Sequence, residues 1–258
     1  MTTQLSDRLL PLEGGINFRD MGGYTAGDGK TVKWRRLYRS GAMGRLTPAD
    51  FEHLNERGIR TVIDFRTAEE QESEPNPLRE HEGVSYWSRL HNETFGNLHE
   101  MVDKGIPTLE DARQVMLNGF RGLPFQQAEA YRELFQRIAE GGTPVVFHCT
   151  AGKDRTGGAA ALLLSALDVP RDVILADFAL TEQAVDLLKA FRARPDPKHA
   201  RYASLSPEVA SAIGGAHPSY ISAMLDFLDE KYGSVEGYLL EIGLRPGDLE
   251  AVRAELLE

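Results

Sequence analysis

The sequence predicts an α/β fold, in which a central, mostly parallel sheet is flanked by helices and a helical C-terminal half forms a lid or pocket wall. Short apolar, β-branched runs alternate with helical stretches up to about residue 168, and beyond it the pattern is helical. The chain has 258 residues, of which 41% are hydrophobic, enough for one substantial core. We therefore expect a single domain over residues 1–258, with a helical lid at about 170–215 inside it.

Turn and capping residues delimit the elements of the first half. Residues 13–40 predict an irregular start and a hairpin, and Thr47-Pro48 predicts the N-cap and first residue of a helix that runs to Arg57 and ends at Gly58. Further strands are expected at 59–65, 84–90 and 143–148, with helices at 68–74, 108–120, 125–140 and 157–167.

The second half is expected to be helical throughout. Helices are predicted at 172–180, 182–191, 206–213, 219–232, 235–242 and 246–257. Apolar positions at helical spacing in this half are more typical of core packing than of substrate contact. The segment 192–197, in the middle of the predicted lid, has the proline pattern of a rigid surface turn.

The strongest functional signal is a loop between a buried strand and an apolar helix. The loop starts at His148 and Cys149, the only cysteine of the chain, and the helix follows from Gly157. Unpaired backbone N–H groups and the helix dipole make such a helix start an anion site. The same field favours a thiolate at Cys149. Taken alone, Cys149 would be a small buried hydrophobe, but its setting favours a nucleophile.

Arg155 supplies what the loop amides cannot. Its guanidinium can grip two phosphate oxygens and stabilise a trigonal bipyramidal transition state. Lys153 adds a charge for the same phosphate or a second one, Gly152 permits close approach of the backbone, and the Thr156 hydroxyl is expected to point at the sulfur. The predicted phosphate-binding residues are Thr150, Ala151, Gly152, Lys153, Asp154 and Arg155.

Residues 148–157, His-Cys-Thr-Ala-Gly-Lys-Asp-Arg-Thr-Gly, resemble the signature loop of the cysteine-dependent protein tyrosine phosphatases. They are most similar to the atypical bacterial branch of tyrosine and lipid phosphatases, secreted by mycobacteria and Listeria. Residues 15–23, with Asn-Phe-Arg-Asp, resemble the N-terminal signature of that branch, and 64–66 and 232–239 are weaker matches. The resemblance spans about residues 13–245 and implies a metal-independent phosphomonoesterase.

The proton donor for the leaving group is the main chemical question. The chain has no Trp-Pro-Asp segment, and residues 116–123 contain no carboxylate. Asp154 lies inside the loop, where a protonated carboxyl could donate to the leaving oxygen, and the resemblance also points to it. Two alternatives stay open: Asp154 holds Arg155 or Lys153 in place, or Asp196 is the acid.

Several polar residues are expected to support the loop. His148 should bond to loop backbone, and Asp64 and Arg66 orient the loop, contact substrate or form a salt-bridged strand end. Because ligands gather at the carboxyl ends of parallel strands, the Asp64 and His148 ends should lie close together if their strands are neighbours. Asn17, Arg19 and Asp20 are expected to brace the loop rather than touch phosphate.

Composition excludes several other classes. The net charge is −10, and no basic run suggests a nucleic-acid partner. The histidines show no metal-ligand spacing, so no metal and no cofactor are expected. A single cysteine disfavours disulfide frameworks and arsenate reductase chemistry. Without a visible signal peptide or transmembrane run, a cytoplasmic location is expected, with secretion by a signal-independent route left open.

These observations lead to one main functional hypothesis, a phosphatase that acts through a cysteinyl-phosphate. Phosphotyrosine on proteins is the expected substrate, with phosphoserine, phosphothreonine and phosphoinositides as further substrates, and vanadate-like oxyanions should inhibit. Alternatives are a phosphoinositide phosphatase as main activity or a non-catalytic phosphate-binding module. Sulfur transfer on a rhodanese-like loop is weaker, since those loops hold fewer residues between cysteine and arginine.

Overall fold

The chain is built around a five-stranded sheet, and the computed structural model describes residues 5–10, 12–90, 102, 105–185 and 205–258. The strand order is β1-β2-β5-β3-β4, with β1 antiparallel to β2 and the other pairs parallel. The predicted α/β fold with a mostly parallel central sheet is confirmed. The strands are β1 (Arg19–Asp20), β2 (Leu37–Ser40), β3 (Thr61–Asp64), β4 (Ser85–Ser88) and β5 (Val145–His148).

Helices connect and cover the strands, with bounds close to those predicted, except that the helices predicted at 172–180 and 182–191 are one continuous helix as far as Ala184. In the first half they are α1 (Leu5–Arg8), α2 (Pro48–Glu56), α3 (Ala68–Ser73) and a 3₁₀ turn (Pro77–Glu80). From residue 109 they are α4 (Leu109–Gln126), α5 (Ala128–Ala139), α6 (Asp154–Ala166), α7 (Arg171–Ala184), α8 (Pro207–Gly214), α9 (Pro218–Tyr232), α10 (Val235–Glu241) and α11 (Pro246–Leu256).

The helix predicted to end at residue 120 instead continues through Pro124 to Gln126. Proline in a helix interior removes a hydrogen bond and costs about 3 kcal/mol. Here Phe120, Leu123 and Pro124 are all buried, so the apolar face of α4 continues past the proline. The Tyr238 hydroxyl donates to the Pro124 carbonyl at 2.7 Å. Packing therefore outweighs the local preference.

The sheet is covered on both faces because successive strand residues point to opposite sides. Val62 and Val146 pack with the cluster that includes Phe18 and Leu54 of α2. Their neighbours Ile63 and Phe147 pack with the larger cluster under the helices from α4 onward. Helix α6 runs through the middle of that cluster with most of its residues buried, which explains its apolar sequence all round.

Register places the predicted functional residues at one edge of the sheet. In the parallel β3–β5 pair Asp64 lies opposite His148, and in the β2–β5 pair Ser40 does. The expectation that the Asp64 and His148 strand ends lie together is confirmed.

The predicted lid over 170–215 begins with α7 and ends with α8. The rest of the predicted helix 182–191, the turn at 192–197 and Asp196 lie outside the described residues, so the lid stays a prediction. In the described parts of the chain, no helix combines the length and apolarity needed to cross a bilayer.

Candidate active site

The loop after β5 is shaped by one glycine. Cys149 follows the strand with 2% of its surface exposed, and α6 begins at Asp154. Between them Gly152 has a φ of +69°, and a Cβ added there would lie 2.6 Å from the Gly41 nitrogen and 2.7 Å from the Ser40 carbonyl carbon. A side chain would therefore be strained and would collide with backbone. Glycine at this position lets the loop pack against the end of β2.

The loop carbonyls are bonded on a common side. The Thr150 carbonyl accepts from the Ala42 amide at 2.9 Å. The Asn17 side-chain amide donates to the carbonyls of Ala151 and Gly152 at 3.3 and 3.0 Å. In a planar trans peptide the N–H points opposite to the C=O. The N–H groups that follow these three carbonyls therefore point away from the bracing residues.

Arg155, in the first turn of α6, is held by Glu70. Its Nη1 donates to Glu70 Oε2 at 2.6 Å and to the Phe65 carbonyl at 3.1 Å, and Nη2 donates to Glu70 Oε1 at 2.7 Å. A 3.4 Å contact joins Nη2 to Thr150 Oγ1. The guanidinium has five N–H groups. The contacts with Glu70 and Phe65 use both N–H groups of Nη1 and one of Nη2. Among the described residues, the edge formed by the other Nη2 N–H and the Nε N–H has only the 3.4 Å contact to Thr150 Oγ1.

Glu70 is itself fixed by its helix. It occupies the N3 position of α3, where its Oε2 accepts from the Thr67 amide at 2.7 Å in a capping box. Burial raises the pKa of Glu70, but the Arg155 charge and its hydrogen bonds outweigh burial and hold that pKa well below its usual range. For Arg155 burial opposes and Glu70 favours the charged form, and the net pKa is raised. Both groups are therefore ionised at neutral pH.

A second buried cluster lies at the ends of β3 and β5. Arg66 binds the Asp64 carboxylate through Nε at 3.0 Å and Nη2 at 2.8 Å, with both residues almost fully buried. His148 Nε2 lies 3.6 Å from Asp64 Oδ2 and 3.0 Å from the Asn76 side-chain amide. Its Nδ1 contacts the Cys149 carbonyl at 3.2 Å. Asp64 and Arg66 thus form a salt-bridged strand end that fixes His148 behind the cysteine.

A third cluster braces the loop from beneath. Arg39 donates to the Gly152 carbonyl at 3.0 Å and to Asp177 Oδ2 at 2.6 Å. Arg19 bonds to Asn17 Oδ1 and to the Asp177 carbonyl, the latter at 3.1 Å. Burial raises the pKa of Asp177, but Arg39 and Arg19 outweigh it, and the net pKa is lowered. Asn17 and Arg19 therefore lie where the sequence analysis expected bracing residues.

The contacts of some predicted site residues differ from those expected, first at Asp20 and Thr156. Asp20 accepts from the amides of Gly22 and Arg35 in the neighbouring turn, at 2.8 and 2.9 Å, and its described hydrogen bonds do not reach the loop. Among the described residues the Thr156 hydroxyl has a 3.5 Å contact to the Ser40 carbonyl, and no hydrogen bond joins it to the Cys149 sulfur. Its expected role toward the sulfur has no support in this geometry.

The Lys153 ammonium donates to backbone carbonyls at the C-terminal end of α8, Ile213 at 2.5 Å and Gly215 at 3.1 Å. Its hydrogen bonds are therefore made to the end of this helix. Asp154 lies at the start of α6 with its side chain 22% exposed, 3.3 Å from the Lys153 ammonium. Its Oδ1 is buried and has no hydrogen-bond partner among the residues that the structure describes.

Sequence reasoning missed Glu70, Arg39 and Asp177. The capping box around Glu70 indicated only a helix start. Arg39 lies in the buried strand β2 and Asp177 on the buried face of α7. Because charged residues are seldom buried unpaired, a charge at such a position indicates a partner. Within the described residues, no group of three or more His, Cys, Asp or Glu side chains could hold a metal ion.

Comparison with known proteins shows the family of the chain. A family model described as the tyrosine phosphatase family matches residues 10–258. A Cupriavidus necator protein named "putative tyrosine-protein phosphatase" is 34% identical over 234 residues, which cover 86% of this chain and 80% of the relative. The triple specificity protein phosphatase PtpB of Mycobacterium tuberculosis is 29% identical over 277 residues, 95% of this chain and 98% of PtpB.

A tyrosine-protein phosphatase of Nostoc commune is 30% identical over 225 residues, covering 84% of this chain and 73% of the relative. The chain belongs to the tyrosine phosphatase family. The predicted resemblance and the predicted enzyme class are therefore confirmed.

Replacing Gly152 with alanine should inactivate the enzyme without unfolding it. The added Cβ must displace the loop, and a misplacement of about 1 Å can cost roughly 100-fold in rate. We expect kcat/KM for an aryl phosphate to fall by about that factor. Gly29→Ala is the matched control, since Gly29 also has a positive φ, +86°, but open space around its Cβ. An active Gly152→Ala enzyme would contradict the proposed loop constraint.

Burial lowers the pKa of His148 below its ordinary value, although Asp64 opposes this. Below about pH 6.5, the unperturbed pKa of histidine, the unfolded chain then binds more protons than the native one. The free energy of unfolding therefore decreases as the pH is lowered. We expect the loss of unfolding free energy between pH 7 and 5, measured by urea denaturation, to be smaller in His148→Asn. The exposed His53→Asn should keep the wild-type slope. Equal slopes in all three proteins would refute this assignment.

Proposed function

We propose that the protein hydrolyses phosphotyrosine on proteins through a cysteinyl-phosphate at Cys149. The observation that carries the proposal is the Nε–Nη2 edge of Arg155, which lies beside the Glu70 ion pair and whose one contact among the described residues is the 3.4 Å contact to Thr150 Oγ1. The edge adjoins a loop whose N–H groups point away from their bracing residues. An edge with two parallel donors fits two oxygens of a phosphate. The N–H groups that follow Thr150, Ala151 and Gly152 would bind the remaining oxygen charge. Cys149 lies at the start of this loop.

In the first step the Cys149 sulfur attacks phosphorus and the ester P–O bond breaks. The carboxyl of Asp154 gives its proton to the leaving oxygen. Charge on the equatorial oxygens grows in the transition state, where the Arg155 edge and the loop amides bind it more strongly. Because Glu70 fixes the guanidinium beforehand, little reorganisation is needed at this point.

In the second step water attacks the phosphorus of the cysteinyl-phosphate and the S–P bond breaks. Asp154, now ionised, accepts a proton from that water. The sulfur leaves as a thiolate and phosphate is released. A single carboxyl thus serves both steps.

Two observations support Asp154 as the acid. Its side chain is partly exposed at the start of α6, and within the described part of the chain its buried Oδ1 has no hydrogen-bond partner. A carboxylate that served only to hold Arg155 would bond to the guanidinium, but Glu70 makes that contact. The ion pair with Lys153 at 3.3 Å is the feature that favours the alternative, structural role.

The relatives guide the choice of substrate. Two have names that specify tyrosine phosphatase activity, and PtpB is named for triple specificity. Phosphoserine and phosphothreonine are therefore further proposed substrates. Phosphoinositides were expected because Lys153 and Asp154 resemble residues in the loops of phosphoinositide phosphatases, and the Lys153 ammonium is bonded to backbone carbonyls. We also propose inhibition by vanadate, whose oxygens would fit the same donors.

The proposal is tested with purified protein and a phosphotyrosine peptide, its phosphoserine and phosphothreonine counterparts and a phosphoinositide. We expect the phosphotyrosine peptide to have the highest kcat/KM, turnover to be lost in Cys149→Ser, and rapid quenching to trap phosphate on the wild-type cysteine. Cys149→Ser that retains turnover would rule out the cysteinyl-phosphate. Higher kcat/KM on the phosphoinositide would make the lipid head group the main substrate.

The acid role of Asp154 is tested by leaving-group dependence. In Asp154→Asn, phenyl phosphate hydrolysis should slow by about 100-fold or more, in the range of general acid catalysis. Hydrolysis of p-nitrophenyl phosphate should slow much less, since nitrophenolate leaves without a proton. Asp172→Asn, in the first turn of α7, is the matched control for losing a helix-start charge. An equal loss on both esters would reject Asp154 as the acid.

A further inference from the structure

The Lys153 ammonium is held by three polar partners. Two of its three N–H groups donate to the carbonyls of Ile213 and Gly215. The ammonium also lies 3.3 Å from Asp154 Oδ1, at ion-pair distance. The side chain is only 3% exposed. To bind a substrate phosphate it would have to leave all three partners, and two carbonyls in a buried setting would lose their donor.

The carbonyls that Lys153 binds belong to the C-terminal end of α8, where the last carbonyls lack helical partners and the dipole favours a cation. Ser211 is bonded there by the Gly215 amide at 2.7 Å, and Ala212 by the Tyr220 hydroxyl at 2.9 Å. Lys153 supplies the donors for Ile213 and Gly215. It therefore acts as the cap of a helix that is remote in sequence.

The same turn, residues 213–216, is fixed from a second side. Glu182 of α7 accepts from the Ala216 amide at 2.9 Å. The turn thus joins the catalytic loop, through Lys153, to α7, through Glu182. Just before the turn, the Ala212 carbonyl accepts from Tyr220 of α9. Of these, Lys153 is adjacent in sequence to both Asp154 and Gly152.

We propose that Lys153 is a positioning residue that fastens the 213–216 turn to the catalytic loop, and that it does not bind substrate phosphate. The proposal rests on the function proposed above, because it assigns a role within that site. Its consequence is for substrate class. The site then binds one phosphate group, through Arg155 and the loop amides. Lys153 gives no preference for substrates that carry a second phosphate.

Its consequence for catalysis is the placement of Asp154. The ammonium lies 3.3 Å from Asp154 Oδ1 and is itself held by the turn. Loss of the ammonium would free the carboxyl and the start of α6 together. We therefore expect the loss in kcat rather than in KM, equally for singly and doubly phosphorylated substrates.

The test is Lys153→Met, which keeps the length and apolar stem but removes the donors. Hydrogen exchange of the amides at 213–217 should become at least about tenfold faster, as expected for a local opening. The kcat/KM for a phosphotyrosine peptide and for a short-chain phosphatidylinositol bisphosphate should fall by the same factor, to within about threefold. The loss should appear in kcat.

Lys33→Met is the matched control. Lys33 also donates to two backbone carbonyls near a helix C-terminus, those of Ala254 and Glu255 at 3.1 and 2.9 Å, outside the site. It should leave both the exchange at 213–217 and the activity as in wild type. Comparing the two variants separates the loss of a capping ammonium in general from the loss of this one.

Unchanged exchange at 213–217 in Lys153→Met would overturn the proposal, as would a loss confined to KM for the bisphosphate. If Lys153→Met does not fold, Glu182→Ala loosens the same turn without touching the loop; it should speed exchange there and lower kcat on both substrates, and unchanged kcat would count against the coupling. Exchange does not depend on turnover. An inactive wild-type protein would therefore contradict the proposed function, but it would not contradict the proposal that Lys153 fastens the turn.

Discussion

Three successive peptide groups in the loop between β5 and α6 are bonded through their carbonyls on one side, and the rest of the site depends on this constraint. Isolated loop amides would spread their N–H groups in many directions and pay the entropy of ordering only when a ligand arrives. Here the Ala42 amide, Asn17 and Arg39 order the carbonyls in the free protein. The donors for an oxyanion are therefore arranged before any substrate binds.

Buried ion pairs hold that arrangement in place, and their value is orientation rather than net stability. Burying a pair of charges costs about as much as their attraction returns. Asp64 with Arg66 and Asp177 with Arg39 are nearly inaccessible to water, and each is completed by hydrogen bonds. The Asp177–Arg39 pair connects α7 to the loop at Gly152, and Asp64 of the other pair lies 3.6 Å from His148, next to Cys149. Removing one partner would leave a buried charge unpaired, so the geometry is tightly coupled to the fold.

Local sequence patterns predicted most elements and the loop, because strands, caps and the helix start are encoded within a few residues. The capping box at Thr47 and the buried run at 145–148 are examples. Contacts between distant segments were not predictable in this way. Arg39 and Asp177 are 138 positions apart, and Glu70 and Arg155 are 85 apart.

Lys153 is a residue for which the local sequence pattern did not predict the side-chain contacts. Its neighbours in sequence indicated a phosphate ligand, but its acceptors are backbone carbonyls at 213 and 215, which carry no side-chain signature. The continuation of α4 through Pro124 has the same origin, since tertiary packing and the Tyr238 hydroxyl outweigh the local preference.

The electrostatics of the site follow from where charges are neutralised. The chain carries a net charge of −10, so attraction of a phosphate must arise locally. Glu70 offsets part of the Arg155 charge, and carbonyls hold the Lys153 ammonium. Behind the loop, however, Arg19 and Arg39 share the single carboxylate of Asp177, which leaves positive charge in excess at low exposure to water. Since buried charge is weakly screened, this excess adds to the aligned N–H dipoles in attracting an anion to the loop.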